Sequence, residues 1–217
     1  MPDLDFQIVN VEPARDLATP ALAFHLRLTN QAEQQPVHAI LLRCQIQIEA
    51  PRRRYKPQEQ EQLRDLFGEP ERWAQTLRTM LWANTTVNVP SFTGSIVYPI
   101  SVPCTFDLTV ASAKYFHALE DGEVPLTFLF SGTVFYDSGQ AAFQAAPVPW
   151  NKEARFRLPV RVWKEMMDLH YPNMTWLCLR RDAFNELYRF KIKEGIATFD
   201  ETVERLLALA EQPLEVS

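Results

Sequence analysis

The chain has 217 residues, of which 47% are hydrophobic and 23% charged, and its formal net charge is -5. With 14 Phe, 5 Trp and 6 Tyr it holds enough apolar surface to offset the entropy of ordering, which excludes a disordered chain. The acidic balance excludes a general attraction to nucleic acid, which calls for a basic excess or a basic face.

The elements follow in chain order. Phe6 to Val11 reads as a first strand. Leu22 to Thr29 is the clearest one: Leu22, Phe24, Leu26 and Leu28 alternate with Ala23, His25, Arg27 and Thr29, the period of a strand with one dry face. Ile40 to Glu49 repeats the device, with Leu42, Cys44, Ile46 and Ile48 on one side, after a polar connection ending in Pro36. Residues 57–82 read as a helical insertion. Pro57 suits a first helical position, Gly68 a helix end, and Pro70 opens a second helix whose Trp73, Leu77, Met80 and Leu81 share a stripe.

Strand signals resume over Ile96–Val102 and Cys104–Val110, and Pro99 marks the former as an edge strand. Leu126 to Tyr136 is apolar on both faces, with Gly132 signalling a bulge or a close backbone contact. Ala154 to Val162 forms the last expected strand, its Arg155, Arg157 and Arg161 aligned on one face. The remainder reads as helical: Trp163–Tyr171, Asp182–Glu194, and a final helix after the capping sequence Thr198-Phe199-Asp200-Glu201, with Val203, Leu206, Leu207 and Ala210 as its stripe. The expectation is an α+β protein. An antiparallel β-sheet or two-layer β-sandwich spans residues 1–162 with the helical insertion at 57–82, and a C-terminal helical region, 163–217, packs on it.

No paired-cysteine, paired-histidine, phosphate-loop or dinucleotide motif occurs in the sequence, so no cofactor or metal is expected. Cys44, Cys104 and Cys178 are widely spaced and odd in number, which fits reduced thiols, two of them at core positions. The acidic start Met1–Asp5 and the absence of a long apolar run predict a cytoplasmic protein without a membrane span. The candidate for catalysis is His117, near Glu120, Asp121 and Glu123, since a carboxylate-oriented imidazole acts as a general base; a solvated hairpin tip beside an ordinary histidine is the plainer account. His170 and Cys178 make at most half a metal site.

The basic residues point to a protein partner. Arg52, Arg53 and Arg54 form a short cationic run that reads as a solvated loop or, less simply, as a grip on an acidic partner segment or phosphate, and Arg155, Arg157 and Arg161 form a row that either meets internal acids, such as those at Glu59, Glu61, Asp65, Glu69 and Glu71, or holds an acidic partner. Trp150 and Trp163 bracket the row as aromatic anchors of the kind found at binding hot spots, or as core residues. The favoured expectation is a non-catalytic protein-binding factor. A small-molecule-binding β module and a hydrolase-type enzyme using His117 are the alternatives.

Four stretches, His38–Tyr55, Leu66–Trp73, Lys114–Leu126 and Pro149–Trp163, resemble an uncharacterised bacterial family whose genes often lie beside those of uptake-type nickel-iron hydrogenases. The resemblance implies a hydrogenase accessory or assembly role, with a hydrogenase subunit or maturation factor as partner, and brings no catalytic residues with it. Tyr171-Pro172-Asn173, followed by Trp176, Arg180 or Arg181 and a helix, resembles the Cys-Pro-Asn segment of SecB-type export chaperones, with Tyr171 in place of the cysteine. That likeness implies a chaperone-like role.

Overall fold

The computed structural model describes residues 2–32, 35–105, 110–137, 143–174 and 179–211, and the chain divides into two units, Met1–Met174 and Thr175–Ser217. In the first unit, β1 (Leu4–Pro13), β2 (Ala21–Asn30) and β5 (Ser95–Pro103) form an antiparallel sheet in the order β1-β2-β5. The second sheet contains β3 (Val37–Ile48), β4 (Met80–Val89), β6 (Glu123–Asp137), β7 (Phe143–Pro147) and β8 (Glu153–Pro159). Here β6 pairs with β3 along one edge and with both β7 and β8 along the other. The architecture is the α+β arrangement anticipated from the alternating segments.

The dry faces of the two sheets close on each other. Leu22, Phe24, Leu26 and Leu28 are buried, as are Leu42, Cys44, Ile46 and Ile48. Phe24 bridges the sheets, with ring centroids 5.1 Å from Phe128 and 6.0 Å from Trp82. Each such side chain contributes about 1.5–3 kcal/mol through burial. Pro99 lies opposite His25 on β5, which pairs with β2 at the end of the three-stranded sheet, as its missing N–H requires. Gly132 sits at φ +145°, where a Cβ would fall on the carbonyl oxygen of Leu41, so the close backbone contact expected there is present.

The insertion is shorter than expected. It is helical over α1 (Pro57–Gln62), α2 (Arg64–Phe67), a 3-10 turn at Pro70–Arg72 and α3 (Trp73–Thr76), and the chain then enters β4 at Met80. The sequence hides β4 because Thr85 takes an inward position between exposed Asn84 and Thr86, and because the ladder with β3 shifts register between Ala83 and Leu81. A bulge of this kind breaks the period that marks a strand.

The strand expected over Cys104–Val110 is corrected likewise. β5 ends at Pro103, Phe106 and Leu108 lie outside the described residues, and Val110 opens the helix α4 (Val110–His117). β8 stops at Pro159, and α5 (Val160–His170) follows at once. Val160, Trp163, Met166 and Met167 form its buried stripe, which packs on β1, β2 and β8. α5 therefore belongs to the first unit, although the sequence placed the boundary at 162/163. Tyr171-Pro172-Asn173 follows this helix rather than a strand.

The second unit contains α6 (Arg181–Lys193) and α7 (Phe199–Glu211). Gly195 turns the chain at φ +69°, and the Thr198 hydroxyl accepts a hydrogen bond from the Glu201 N–H at 3.2 Å, the cap expected from the sequence. No helix among the described residues is long and apolar enough to cross a membrane.

Candidate functional site

β3 ends in a 3-10 turn, Ala50–Arg52, which opens at Pro51 and turns the arginine run back over the start of β6. The run is divided by this turn. Arg53 points inward: its Nη2 donates to Glu59 Oε1 at 2.7 Å and to the Asp121 carbonyl at 2.7 Å, and its Nη1 donates to the Glu123 carbonyl at 2.8 Å. The Arg53 side chain is 7% exposed and that of Glu59 1%. Glu59 also accepts from the backbone N–H groups of Lys56 at 3.0 Å and Glu120 at 2.9 Å, so it satisfies the first turn of α1 and ties it to the turn before β6. Gly122 stands against this guanidinium at φ +76°, where a Cβ would come within 3.3 Å of Arg53 Nη1.

Arg52 and Arg54 are exposed. On β8, Arg155 and Arg157 are also exposed, opposite Thr127 and Pro125 of β6. Two sequence-distant basic groups thereby reach one place. Arg52, Arg155 and Arg157 line a cleft of about 540 Å³ with Glu49, Thr127 and Phe156. A neighbouring cleft of about 400 Å³ shares Arg52, Arg157 and Pro125 and adds Arg53, Arg54 and Lys56. Six cationic side chains face four carboxylates across the two clefts, a local excess of positive charge on a chain whose net charge is -5.

The cleft arginines are loosely held. Arg52 stands 3.7 Å from Glu49 and Arg157 3.8 Å from Glu123, both beyond hydrogen-bond range, while Arg155 reaches Glu153 at 3.2 Å. Exposed pairs like these contribute about 0–1 kcal/mol, so the guanidinium forks remain open to a carboxylate or phosphate. Three of the five insertion acids expected to neutralise this row are paired elsewhere: Glu59 meets Arg53, Asp65 meets Lys114, and Glu69 meets Arg64.

Three expected members of the surface fall outside it. Arg161 is on α5 rather than on β8, because Pro159 ends the strand, and it lines a separate cleft with Glu120, Lys164, Glu165 and Asp168. Trp163 is 3% exposed, stacked on Phe116 at 5.2 Å, and is a core residue. Trp150 is 94% exposed in the turn before β8 and lines neither arginine cleft. Sequence reasoning missed Glu49, which accepts from the hydroxyls of Thr79 and Thr127 at 3.1 and 3.0 Å. It also missed Glu59 as the partner of Arg53, although Glu59 at the third helical position after Lys56 was a readable capping signal.

The carboxylates expected beside His117 are engaged by Lys56, which reaches Glu120 at 3.1 Å and Asp121 at 2.9 Å. The hydrogen bond from Lys56 lowers the Asp121 pKa, and the same contact raises that of Lys56. The His117 ring stands edge-on to Trp163 at 4.8 Å, and desolvation, followed by the charge of Lys164, lowers its pKa. Glu120 and Asp121 thus pair with the Lys56 ammonium rather than with the His117 ring. Burial pushes the thiols of Cys44 and Cys104 up to about 12, which makes them inert. Cys178 and Trp176 lie outside the described residues. The two ring nitrogens of His170 face the carbonyls of Met166 and Leu17 at 3.0 and 3.2 Å. Among the described residues no group of three or more His, Cys, Asp or Glu could hold a metal ion.

Residues 1–215 match a protein family of unknown function, DUF6084. The chain belongs to that family. No curated protein matches it. Among solved structures, a protein described as late embryogenesis abundant is 12% identical, with a TM-score of 0.33 and 73% of each chain covered. β-Glucosidase 3B from Thermotoga neapolitana is 14% identical, with a TM-score of 0.26 over 72% of this chain and 17% of the enzyme. Likenesses this distant bear on neither fold nor function.

Proposed function

We propose that this family member is a non-catalytic binding protein that holds an acidic segment of a protein partner in the cleft between the Ala50–Arg52 turn and β8, and that it serves as an accessory or assembly factor of a nickel-iron hydrogenase. One observation carries the binding reading: three exposed guanidinium groups, from Arg52, Arg155 and Arg157, converge on one cleft without close carboxylate partners for two of them. Forked donors at such spacing suit a run of carboxylates, and the apolar floor at Phe156 and Leu126 suits a hydrophobic side chain within that run. The hydrogenase setting rests on the resemblance of the four sequence stretches alone.

Affinity purification of the tagged protein from hydrogenase-expressing cells, at moderate salt, tests both parts. Recovery of a hydrogenase subunit or maturation factor supports the setting. With the recovered partner, Arg157→Glu should weaken binding by roughly tenfold to a hundredfold and flatten its salt dependence. The side chain of Arg157 is 68% exposed, so the fold should stay intact. Unchanged binding by a folded Arg157→Glu protein overturns the cleft as the contact.

A further inference from the structure

The smaller of the two arginine clefts, about 400 Å³ in volume, has a charge balance of its own. Five cationic side chains, Arg52, Arg53, Arg54, Lys56 and Arg157, line it against three carboxylates. Two of those carboxylates are committed to hydrogen-bonded pairs, Glu59 to Arg53 at 2.7 Å and Asp121 to Lys56 at 2.9 Å. The third, Glu123, stands 3.8 Å from Arg157. Arg54 takes part in no ion pair among the described residues. The lining therefore keeps an excess of two positive charges, close to the charge of a phosphate monoester at neutral pH. Local backbone geometry aims these charges. Arg53 is extended, at φ -105° and ψ 147°, so Arg52 and Arg54 project to the side opposite its own. Arg53 turns in to Glu59, its two neighbours face the cleft, and Arg157 reaches the same space from β8.

A carboxylate is planar and offers two oxygens, which one or two guanidinium forks satisfy. A phosphoryl group is tetrahedral and presents three outward oxygens, so three forks arriving from two elements match it better. A further donor lies unused at the same place: Arg53 Nε is buried without a hydrogen-bond partner, whereas buried donors are nearly always paired. Resting on the partner reading above, we propose that the acidic segment carries a phosphoryl group, on a serine, threonine or tyrosine side chain, and that this cleft is its seat. The two clefts share Arg52, Pro125 and Arg157, so a segment anchored here by its phosphate continues directly onto the apolar floor at Phe156 and Leu126. Partner binding then follows the phosphorylation state of the partner.

An NMR titration of the full chain, read on the arginine Nε–H signals at constant ionic strength, tests this. The probes are inorganic phosphate, the peptide acetyl-Glu-phosphoserine-Leu-Glu-amide, and the same peptide with glutamate in place of phosphoserine. The phosphopeptide should shift the signals of Arg53, Arg54 and Arg157 and bind at least ~10-fold more tightly than either other probe. Arg54→Ala, at an exposed position, should weaken it by at least ~10-fold, and Arg161→Ala, in the separate cleft, by less than about twofold. Equal affinity for the glutamate peptide overturns the phosphoryl inference and leaves the acidic-segment reading standing. Equal affinity for inorganic phosphate overturns it in favour of a free ion. Phosphopeptide binding that Arg54→Ala leaves unchanged overturns this cleft as the seat, and so does the absence of any arginine shift with the phosphopeptide at millimolar concentration. The acidic-segment reading itself falls only if the recovered partner binds Arg157→Glu undiminished.

Discussion

The Arg53–Glu59 pair makes a sharp test of what holds the insertion in place. Removing the carboxylate with Glu59→Ala leaves a guanidinium that is 7% exposed facing two carbonyl oxygens without a counter-charge, and strips the acceptor from the N–H groups of Lys56 and Glu120. Breaking a buried pair by deleting one partner costs about 3–5 kcal/mol. Spread over a first unit of this size, at roughly 2–4 °C per kcal/mol, the loss lowers Tm by about 6–20 °C. Glu59→Gln keeps an acceptor for one or two of these donors and should cost about half as much. Trp73 packs against Tyr55 at 5.3 Å, so its share of the tryptophan fluorescence change during urea unfolding, taken as the difference from a Trp73→Phe protein, reports the insertion. Because the same ties position Arg52, Glu59→Ala should also weaken partner binding at temperatures where the sheets stay folded. A loss below 1 kcal/mol refutes the claim that this pair anchors the insertion.

Two further outcomes are expected. Gly132→Ala drives a Cβ into the Leu41 carbonyl at a backbone angle that L-residues rarely adopt, in the central β3–β6 ladder; the loss should exceed about 3 kcal/mol, read as low soluble yield or a fall in urea midpoint, and a near-parental midpoint counts against the tight register. The lowered pKa of His117 means that the unfolded state binds this proton first. Stability should therefore fall as pH drops below the unfolded histidine value near 6.5. His117→Asn should be less sensitive than the parent between pH 7.5 and 5.5, and equal slopes contradict the assigned environment.

The sandwich was legible because β2, β3 and β8 alternate cleanly, and because β6 keeps apolar residues on both faces. β4 was not, since Thr85 at an inward position and the bulge beside Ala83 erase the alternation. The helix after Pro159 was expected from Trp163, and its start at Val160 was missed for the opposite reason. Phe156, Leu158, Val160 and Val162 continue a strand period across the boundary, and packing of the α5 stripe against β1 and β2 decides in favour of a helix, as tertiary context overrides local preference. The arginine run shows the limit of reading charge by composition. Its members are adjacent in sequence, yet one lies in the interior on Glu59 while its neighbours face solvent, a division set by a single 3-10 turn. Arg161 fails to join Arg155 and Arg157 because a period of two becomes 3.6 at Pro159.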